Sequence, residues 1–251
     1  MSGCSPPSEG RLMVERIERG ERPVEGEVVR VLRQPSCPGH LVERLAACDW
    51  IHQMRRSLPL LVRHPACPRP FAWEVLPRLG WRDLLDIVRH PRTAPPVRRQ
   101  AEKKLLDKFS TMTMGERTTL ARMATRSVIS AILEVDEPRT IEALLENPQC
   151  TETEAVRVLL ADRSAACVMA VVRHPRWCSR PAVTRAALRA SRVPLGIALG
   201  LVATLPTREL SGLAQAPDVG ERIRHAAANL REERSGERRA DRDLAVRRAS
   251  R

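Results

Sequence analysis

The residues with the clearest chemical potential in this sequence are arginine and histidine placed directly before proline. The triplet Arg-His-Pro occurs at 63–65, 89–91 and 173–175. A row of such cations along one edge could face phosphates or acidic side chains. The structural alternative is that arginine complements the dipole at a helix C-terminus while histidine bonds free carbonyl groups. Because Glu-Asn and Gln-Ala stand before the equivalent prolines at 146–147 and 215–216, the pattern favours a structural turn.

Cysteine and histidine also offer the ligand types of a zinc site. A Cys-x-x-His motif begins at Cys37 and a Cys-x3-His motif at Cys48, but the short segment between them has a helical pattern. Cys37, Cys67 and Cys150 all lie two residues after a turn proline. Equivalent positions on neighbouring helices are about 8–10 Å apart, too far to share a zinc ion with bonds of about 2.3 Å. We therefore predict buried free thiols, no metal and no cofactor.

The main catalytic motifs are missing from the sequence. It has no glycine-rich phosphate loop, no Gly-x-Ser-x-Gly nucleophile motif and no His-Glu-x-x-His, and its 12 glycines are not clustered. These absences predict a protein that is not an enzyme and takes no small-molecule substrate.

The composition favours helices and an anionic partner. There is no tyrosine, and only two phenylalanines and four tryptophans are present, so leucine, valine and alanine must form the core. The net charge is +13, and +12 of it lies within residues 28–230, so the folded body is itself basic. Seven cysteines, no leader and no apolar run of about 18 residues favour a cytoplasmic protein without a membrane span.

The prolines punctuate a series of short helical segments. Proline cannot continue a helix and disfavours helical geometry in the residue before it, so each occurrence predicts a helix end followed by a turn. Thr151 with Glu154, and Thr113 with Glu116, have the spacing of a capping box at the start of a helix. The turns predicted in this way lie at 31–38, 61–68, 87–95, 144–152, 171–179 and 213–217.

One long segment occurs twice. Residues 68–105 recur without a gap at 194–231, and the matches fall at apolar and turn positions such as Leu84 with Leu210 and Ala101 with Ala227. A duplication that keeps core and turn residues while exchanging surface residues is typical of stacked helical repeats.

Short paired helices ending in an apolar–x–Asn/His–Pro turn resemble the HEAT-like or leucine-rich-variant class of α-helical repeat proteins. More narrowly, GERTTLARMATR, DEPRTIEALLENPQCTE and VVRHPRW resemble segments of bacterial HEAT-like repeat proteins. The similarity covers roughly 28–231, with a surplus of about 14 residues around 48–57. It implies an all-α fold: a right-handed α-solenoid, or HEAT-like superhelix, of about five or six short helical hairpins over 11–230. Residues 1–10 are predicted to be disordered and 231–251 to form a charged tail.

The resemblance implies a non-enzymatic scaffold whose inner face binds a protein partner, and the charge of this chain makes that partner an acidic one. The residues predicted to bind an anionic partner are Arg63, Arg89, Arg98, Arg173 and Arg224. The tryptophans predicted as hot spots for a protein partner are Trp50, Trp73 and Trp177.

Two other functions stay open. The basic body is compatible with a DNA-binding protein. Some HEAT-like proteins are glycosylases that remove alkylated bases, and Trp81-Arg82-Asp83, with Trp177 as a second ring, has the residue types they use. The duplicate, however, has Thr207-Arg208-Glu209 at the same place, which favours an ordinary first helical turn with its acid at the positive end of the dipole.

Overall fold

A computed structural model describes residues 9–161 and 163–249, with side chains up to Gly236. Every regular element within these residues is a helix, and no strand occurs among them. The all-α prediction is therefore confirmed. The chain divides into two compact units, Met1–Leu120 (unit 1) and Ala121–Arg251 (unit 2).

Unit 1 consists of short helices separated by the predicted turns. In unit 1, α4 packs against both α2 and α6, while α5 packs against α7 and α1 against α3. Two short 3₁₀ helices, Asp49–Gln53 and Leu76–Arg78, follow α3 and α5. The helices are α1 (Glu9–Glu18), α2 (Glu25–Leu32), α3 (Gly39–Ala46), α4 (Leu58–Val62), α5 (Arg69–Val75), α6 (Trp81–Arg89), α7 (Pro95–Phe109) and α8 (Met114–Met123), which ends in unit 2.

Unit 2 repeats the same local plan. Each of these helices packs against its neighbour or next-but-one neighbour, as α10 does with α12, α11 with α13 and α14 with α16. This order of contacts lets helices of about ten residues bury an apolar face that none of them could bury alone. They are α9 (Arg126–Ile132), α10 (Pro138–Leu145), α11 (Glu152–Leu160), α12 (Ala165–Arg173), α13 (Pro181–Arg189), α14 (Leu195–Thr204), α15 (Thr207–Gln215) and α16 (Glu221–Ala249).

The two similar sequence segments form the same succession of helices. Helix α15 begins and ends 126 residues after α6, and α16 begins 126 residues after α7. Helix α14 likewise spans the residues equivalent to α5 and its 3₁₀ extension. Leu84 and Leu210, at equivalent positions, are both 0% exposed. The apolar matches Leu84 with Leu210 and Ala101 with Ala227 are thus core positions.

Both predicted capping boxes are present. The backbone N–H of Thr113 donates to Glu116 at 2.9 Å, and the N–H of Glu116 donates back to the Thr113 hydroxyl at 3.3 Å. Thr151 and Glu154 form the same reciprocal pair at the start of α11. Each box satisfies backbone donors that the first turn of a helix leaves free.

The chain ends and the surplus segment differ from the simplest expectation. Helix α1 begins at Glu9, two residues before the predicted start, while residues 1–8 of the predicted disordered segment lie outside the described residues. At the other end, α16 continues the backbone of the predicted tail as helix to Ala249. The surplus around 48–57 contains the 3₁₀ helix Asp49–Gln53. No described helix combines the length and the hydropathy needed to cross a bilayer.

Because the two segments are equivalent, we predict that truncating a buried leucine destabilises the protein by a similar amount in each segment. We expect Leu84→Ala and Leu210→Ala each to lower the free energy of unfolding by about 2–5 kcal/mol, because both leave a cavity at a buried position. Urea denaturation measures the change. Leu199→Ala, at a residue that is 38% exposed, is the control and should cost clearly less. A cost below about 1 kcal/mol for either buried leucine would contradict the equivalence.

Candidate binding site

All the proline-punctuated turns are closed by the same backbone hydrogen bond. We call the residue before the proline the turn residue. The anchor residue lies three positions after the turn residue. The N–H of the anchor residue donates to the carbonyl of the turn residue at 3.0–3.4 Å. A seventh turn, at 190–193, has the same hydrogen bond but was not predicted, because serine stands where the other turns have proline. The seven pairs are Gln34 with Cys37, His64 with Cys67, His90 with Thr93, Asn147 with Cys150, His174 with Trp177, Ala190 with Val193, and Ala216 with Val219.

The side chains of three turn residues make a second, local hydrogen bond. The Nδ1 atom of His64 accepts from the N–H two residues later at 3.1 Å, and His174 does the same at 3.2 Å. The Oδ1 atom of Asn147 takes this place in its turn at 2.8 Å. Histidine and asparagine are therefore interchangeable here because each presents an acceptor at the same distance from the backbone. This geometry supports a structural role for His64 and His174, although they accept N–H groups and do not bond the free carbonyl groups that the sequence predicted. The Nδ1 atom of His90 has no hydrogen-bond partner among the described residues.

Asn147 also joins its turn to the preceding helices of unit 2. Its Nδ2 atom donates to the carbonyl oxygens of Ala121 at 2.8 Å and Ala124 at 3.0 Å, and the residue is 1% exposed. Since all the polar atoms of this buried amide are used, its role is to hold the turn in place.

The anchor residues are small or apolar groups packed beneath the turns. Cys37, Cys67 and Cys150 are buried, as predicted. Burial raises the pKa of Cys67 and that of Cys150 to about 12, so both thiols stay protonated and unreactive at neutral pH. No group of three or more His, Cys, Asp or Glu side chains is arranged to hold a metal ion in the described part of the chain.

Arginine side chains donate hydrogen bonds to carbonyl groups of the turns. Arg98, predicted as a binding residue, donates through one guanidinium nitrogen to the carbonyl oxygens of His90, Pro91 and Thr93 at 3.1–3.2 Å. It is half-buried and holds its own turn. Arg176, directly after a turn proline, donates at 3.2 Å to two carbonyl oxygens of the preceding turn. These cations donate further hydrogen bonds to carbonyl groups that have no intrahelical partner because they lie at or beyond the ends of the helices.

The predicted tryptophans differ in accessibility. Trp177 is 2% exposed, and its indole nitrogen donates to the carbonyl of Leu145 at 3.1 Å, so its ring is part of the core of unit 2. This position rules it out as a partner hot spot. Trp50 is half-buried with the guanidinium of Arg22 over its ring at 5.7 Å, and Trp73 is 41% exposed.

The other predicted arginines are not assembled into one site. Arg63 is half-buried in unit 1, whereas Arg89 is exposed at the end of α6. Arg173 is exposed in unit 2, where it lines a cavity of about 450 Å³ together with Glu142, Glu146 and apolar residues. Arg224 is half-buried on α16.

Six charged side chains surround a cavity of about 720 Å³ in unit 1, which we call the arginine cavity. Its volume is within the range of about 300–1,000 Å³ typical of ligand sites. Four arginines and two aspartates contribute to its walls, and Pro59, Leu60 and Ile87 supply apolar surface. The charged residues that line it are Arg33, Arg55, Arg56, Arg63, Asp83 and Asp86.

Helix ends and one loop position these arginines. Arg33 and Arg63 occupy equivalent positions directly after α2 and α4, and Arg55 and Arg56 precede α4. The N–H of Arg56 donates to a carboxylate oxygen of Glu25 at 2.7 Å, which ties this loop to the start of α2. Burial lowers the pKa of Arg63, with Arg33 acting in the same direction and Asp86 opposing it. Only Arg63 was predicted, although the surplus around 48–57 had marked Arg55 and Arg56.

The two aspartates face the arginines from α6. Asp83 is half-buried in the first turn of this helix, and Asp86 is exposed one turn later. Burial raises the pKa of Asp83, Asp86 raises it further, and a hydrogen bond from the Gly80 backbone opposes both. None of the six charged groups around the cavity forms an ion pair with a described residue. Opposite charges thus share one cavity without neutralising each other directly.

The surroundings of Asp83 differ from those of a base-binding pocket. The indole of Trp81 donates to Glu116 at 3.0 Å and is half-buried, while the guanidinium of Arg82 lies over the same ring. No tryptophan is among the described residues that line the arginine cavity. The geometry therefore presents a charged groove and lacks aromatic surfaces between which a base could stack.

A smaller cavity of about 170 Å³ adjoins the arginine cavity and shares Arg33, Leu60 and Arg63 with it. It lies along the turns of unit 1, where Arg92 donates to the carbonyl of Pro35 at 3.2 Å. Its walls include His64 and His90, whose pKa values are both lowered, mainly by burial. The two histidines are neutral at pH 7, so arginines carry the positive charge of this face.

Comparisons of the chain with protein families, curated proteins and solved structures found no match in any of the three.

The geometry of Asn147 predicts a large effect of truncation. We expect Asn147→Ala to lower the free energy of unfolding by about 2–3 kcal/mol, because it leaves buried backbone carbonyl groups without donors. Chemical denaturation with urea measures it. Gln149→Ala, at an exposed position in the same turn, serves as the control and should change stability by less than about 0.5 kcal/mol. Equal costs for the two variants would contradict a structural role for the amide.

The turn histidines predict a loss of stability on acidification. Burial lowers the pKa of His64 and that of His174 below the ordinary value of 6.5. The unfolded chain therefore binds more protons as the pH falls through 6.5 toward the folded-state pKa values, and stability falls with it. We expect His64→Asn with His174→Asn to make the urea midpoint less dependent on pH in this range.

The asparagine side chain keeps an oxygen that can accept the local N–H group, but it does not titrate. The double variant therefore removes protonation while it keeps the hydrogen bond. His40→Asn, at an exposed position, is the control for the substitution itself. A pH profile that the double variant leaves unchanged would show that these turns do not carry the acid sensitivity.

Proposed function

We propose that this chain is a non-enzymatic scaffold of HEAT-like helical repeats, a short α-solenoid, that binds an acidic segment of a protein partner at the arginine cavity. The observation that carries this proposal is the set of four arginines around one cavity without ion pairs to described residues. Because the chain has already built guanidinium groups close together there, an incoming carboxylate replaces mutual repulsion with attraction.

The turn geometry supports the scaffold part of the proposal. Arginine, histidine and cysteine are the side chains that could have formed catalytic groups in the repeated turns. Among the described residues, Arg98 and Arg176 donate to turn carbonyl groups, and His64 and His174 accept local N–H groups. Cys37, Cys67 and Cys150 are buried in the core. In helical repeat proteins, the residues that recur from repeat to repeat serve packing, and the surface side chains that differ between repeats bind the partner.

DNA is the second candidate partner, favoured by the net charge of +13. Two features of the cavity oppose it. Asp83 and Asp86 would face a phosphate backbone with like charge, and the described residues that line the cavity include no aromatic side chain to stack with a base. An acidic polypeptide is the better match.

The proposal predicts selective binding of polyglutamate. We expect Arg33→Glu with Arg56→Glu to weaken the binding of labelled polyglutamate by at least about tenfold, or about 1.4 kcal/mol, because the double charge reversal repels the ligand from the cavity. Fluorescence anisotropy at moderate salt measures the affinity. Arg69→Glu with Arg99→Glu is the control: it makes the same change in net charge at exposed positions outside the cavity.

A random-sequence DNA duplex is measured in parallel with a salt titration. DNA affinity that exceeds polyglutamate affinity and falls by about 10³–10⁵ between about 50 and 200 mM salt would transfer the function to nucleic acid. Equal effects of the cavity and control variants on polyglutamate would overturn the proposed site.

A further inference from the structure

The charges around the arginine cavity are separated by sign. The arginines come from the ends of α2 and α4 and from the loop before α4, whereas both aspartates come from α6. Helix α4 packs against both α2 and α6, so the arginines and the aspartates reach the cavity from different helices, which we call its arginine wall and its α6 wall. Apolar surface from Leu60 and Ile87 lies with them.

The absence of ion pairs among these described residues indicates space between the walls. Arginine and aspartate that line one cavity attract each other, and at contact they would form charge-assisted hydrogen bonds. Arg63 and Asp86 interact electrostatically, since Asp86 opposes the lowering of the Arg63 pKa, but they form no ion pair. Each set of charged side chains therefore keeps hydrogen-bonding capacity for a ligand.

The carboxylates of Asp83 and Asp86 would repel a purely anionic ligand and lower its affinity for the cavity. Asp83 is half-buried, and burial raises its pKa, the Gly80 backbone opposes this and Asp86 adds to it, so the two carboxylates of the α6 wall repel each other. A cationic group of the ligand would relieve this repulsion while its anionic group bound the arginines.

From this separation of charge we infer that the arginine cavity recognises a mixed-charge peptide segment, with acidic side chains on the arginine wall and a lysine or arginine on the Asp83–Asp86 wall. This inference rests on the proposed function, because it specifies the partner of the same site. It further implies that α6 acts as the selective wall, because it lowers the affinity for ligands that carry negative charge alone, nucleic acid among them, relative to that for mixed-charge segments.

Two synthetic peptides test the inference with Asp86→Asn. One peptide carries glutamates, a leucine pair and then lysines, and the other has the lysines replaced by glutamates. We expect Asp86→Asn to weaken the mixed-charge peptide about fivefold and to tighten the all-acidic peptide, because the same carboxylate attracts one and repels the other. Fluorescence anisotropy measures both affinities for the full chain.

Asp107→Asn is the matched control, since Asp107 is an exposed aspartate of α7 outside the cavity. Asp86 is exposed as well, so its amide variant is expected to fold, and the urea midpoint verifies this. Opposite shifts for the two peptides, absent in the control, would support the inference. Shifts of one sign, or none, would overturn it.

The outcome is separable from that of the proposed function. If Asp86→Asn changes neither peptide while the reversal of Arg33 and Arg56 still weakens the all-acidic one, the inference fails and the acidic-partner scaffold stands. If neither peptide depends on the arginines, both fail together. A short single-stranded DNA that binds more tightly than the mixed-charge peptide would likewise overturn the inference.

Discussion

The backbone hydrogen bond between the anchor residue and the turn residue is the constraint on which each helical unit depends. It fixes the direction in which the chain leaves one short helix and enters the next. Without it, helices of about ten residues would have no defined partner to bury their apolar faces against. Proline, histidine and buried cysteine recur at these turns because each serves this geometry: a stopped helix, a local acceptor and a small buried group.

This arrangement also separates structural from accessible charge. Arg98 and Arg176 donate to turn carbonyl groups, so part of the hydrogen-bonding capacity of each guanidinium group serves the turns. Arg33, Arg55 and Arg56 belong to helix ends and a loop whose carbonyl groups they do not hold. Net charge alone does not distinguish these two kinds of arginine, because it counts both equally.

The surplus of residues around 48–57 gives unit 1 a feature that the other described turns do not share. It inserts a 3₁₀ helix and a loop between α3 and α4 and brings Arg55 and Arg56 to the cavity wall. The ends of α2 and α4 supply Arg33 and Arg63, and the surplus segment adds the other two arginines. Functional surfaces on repeat proteins often arise in this way, since an insertion can vary without disturbing the packing between units.

The sequence by itself determined the helical class, the turn positions, both capping boxes and the equivalence of α6 with α15, since all of these depend on local spacing and backbone chemistry. It could not show that Trp177 is a core residue, that Arg98 holds its own turn, or that Asp83 and Asp86 share a cavity with Arg33 and Arg63. Those outcomes depend on which residues distant in sequence are brought together when neighbouring helices pack, and an arginine has the same local pattern whether it faces a carbonyl or a cavity. Only tertiary contacts separate the two.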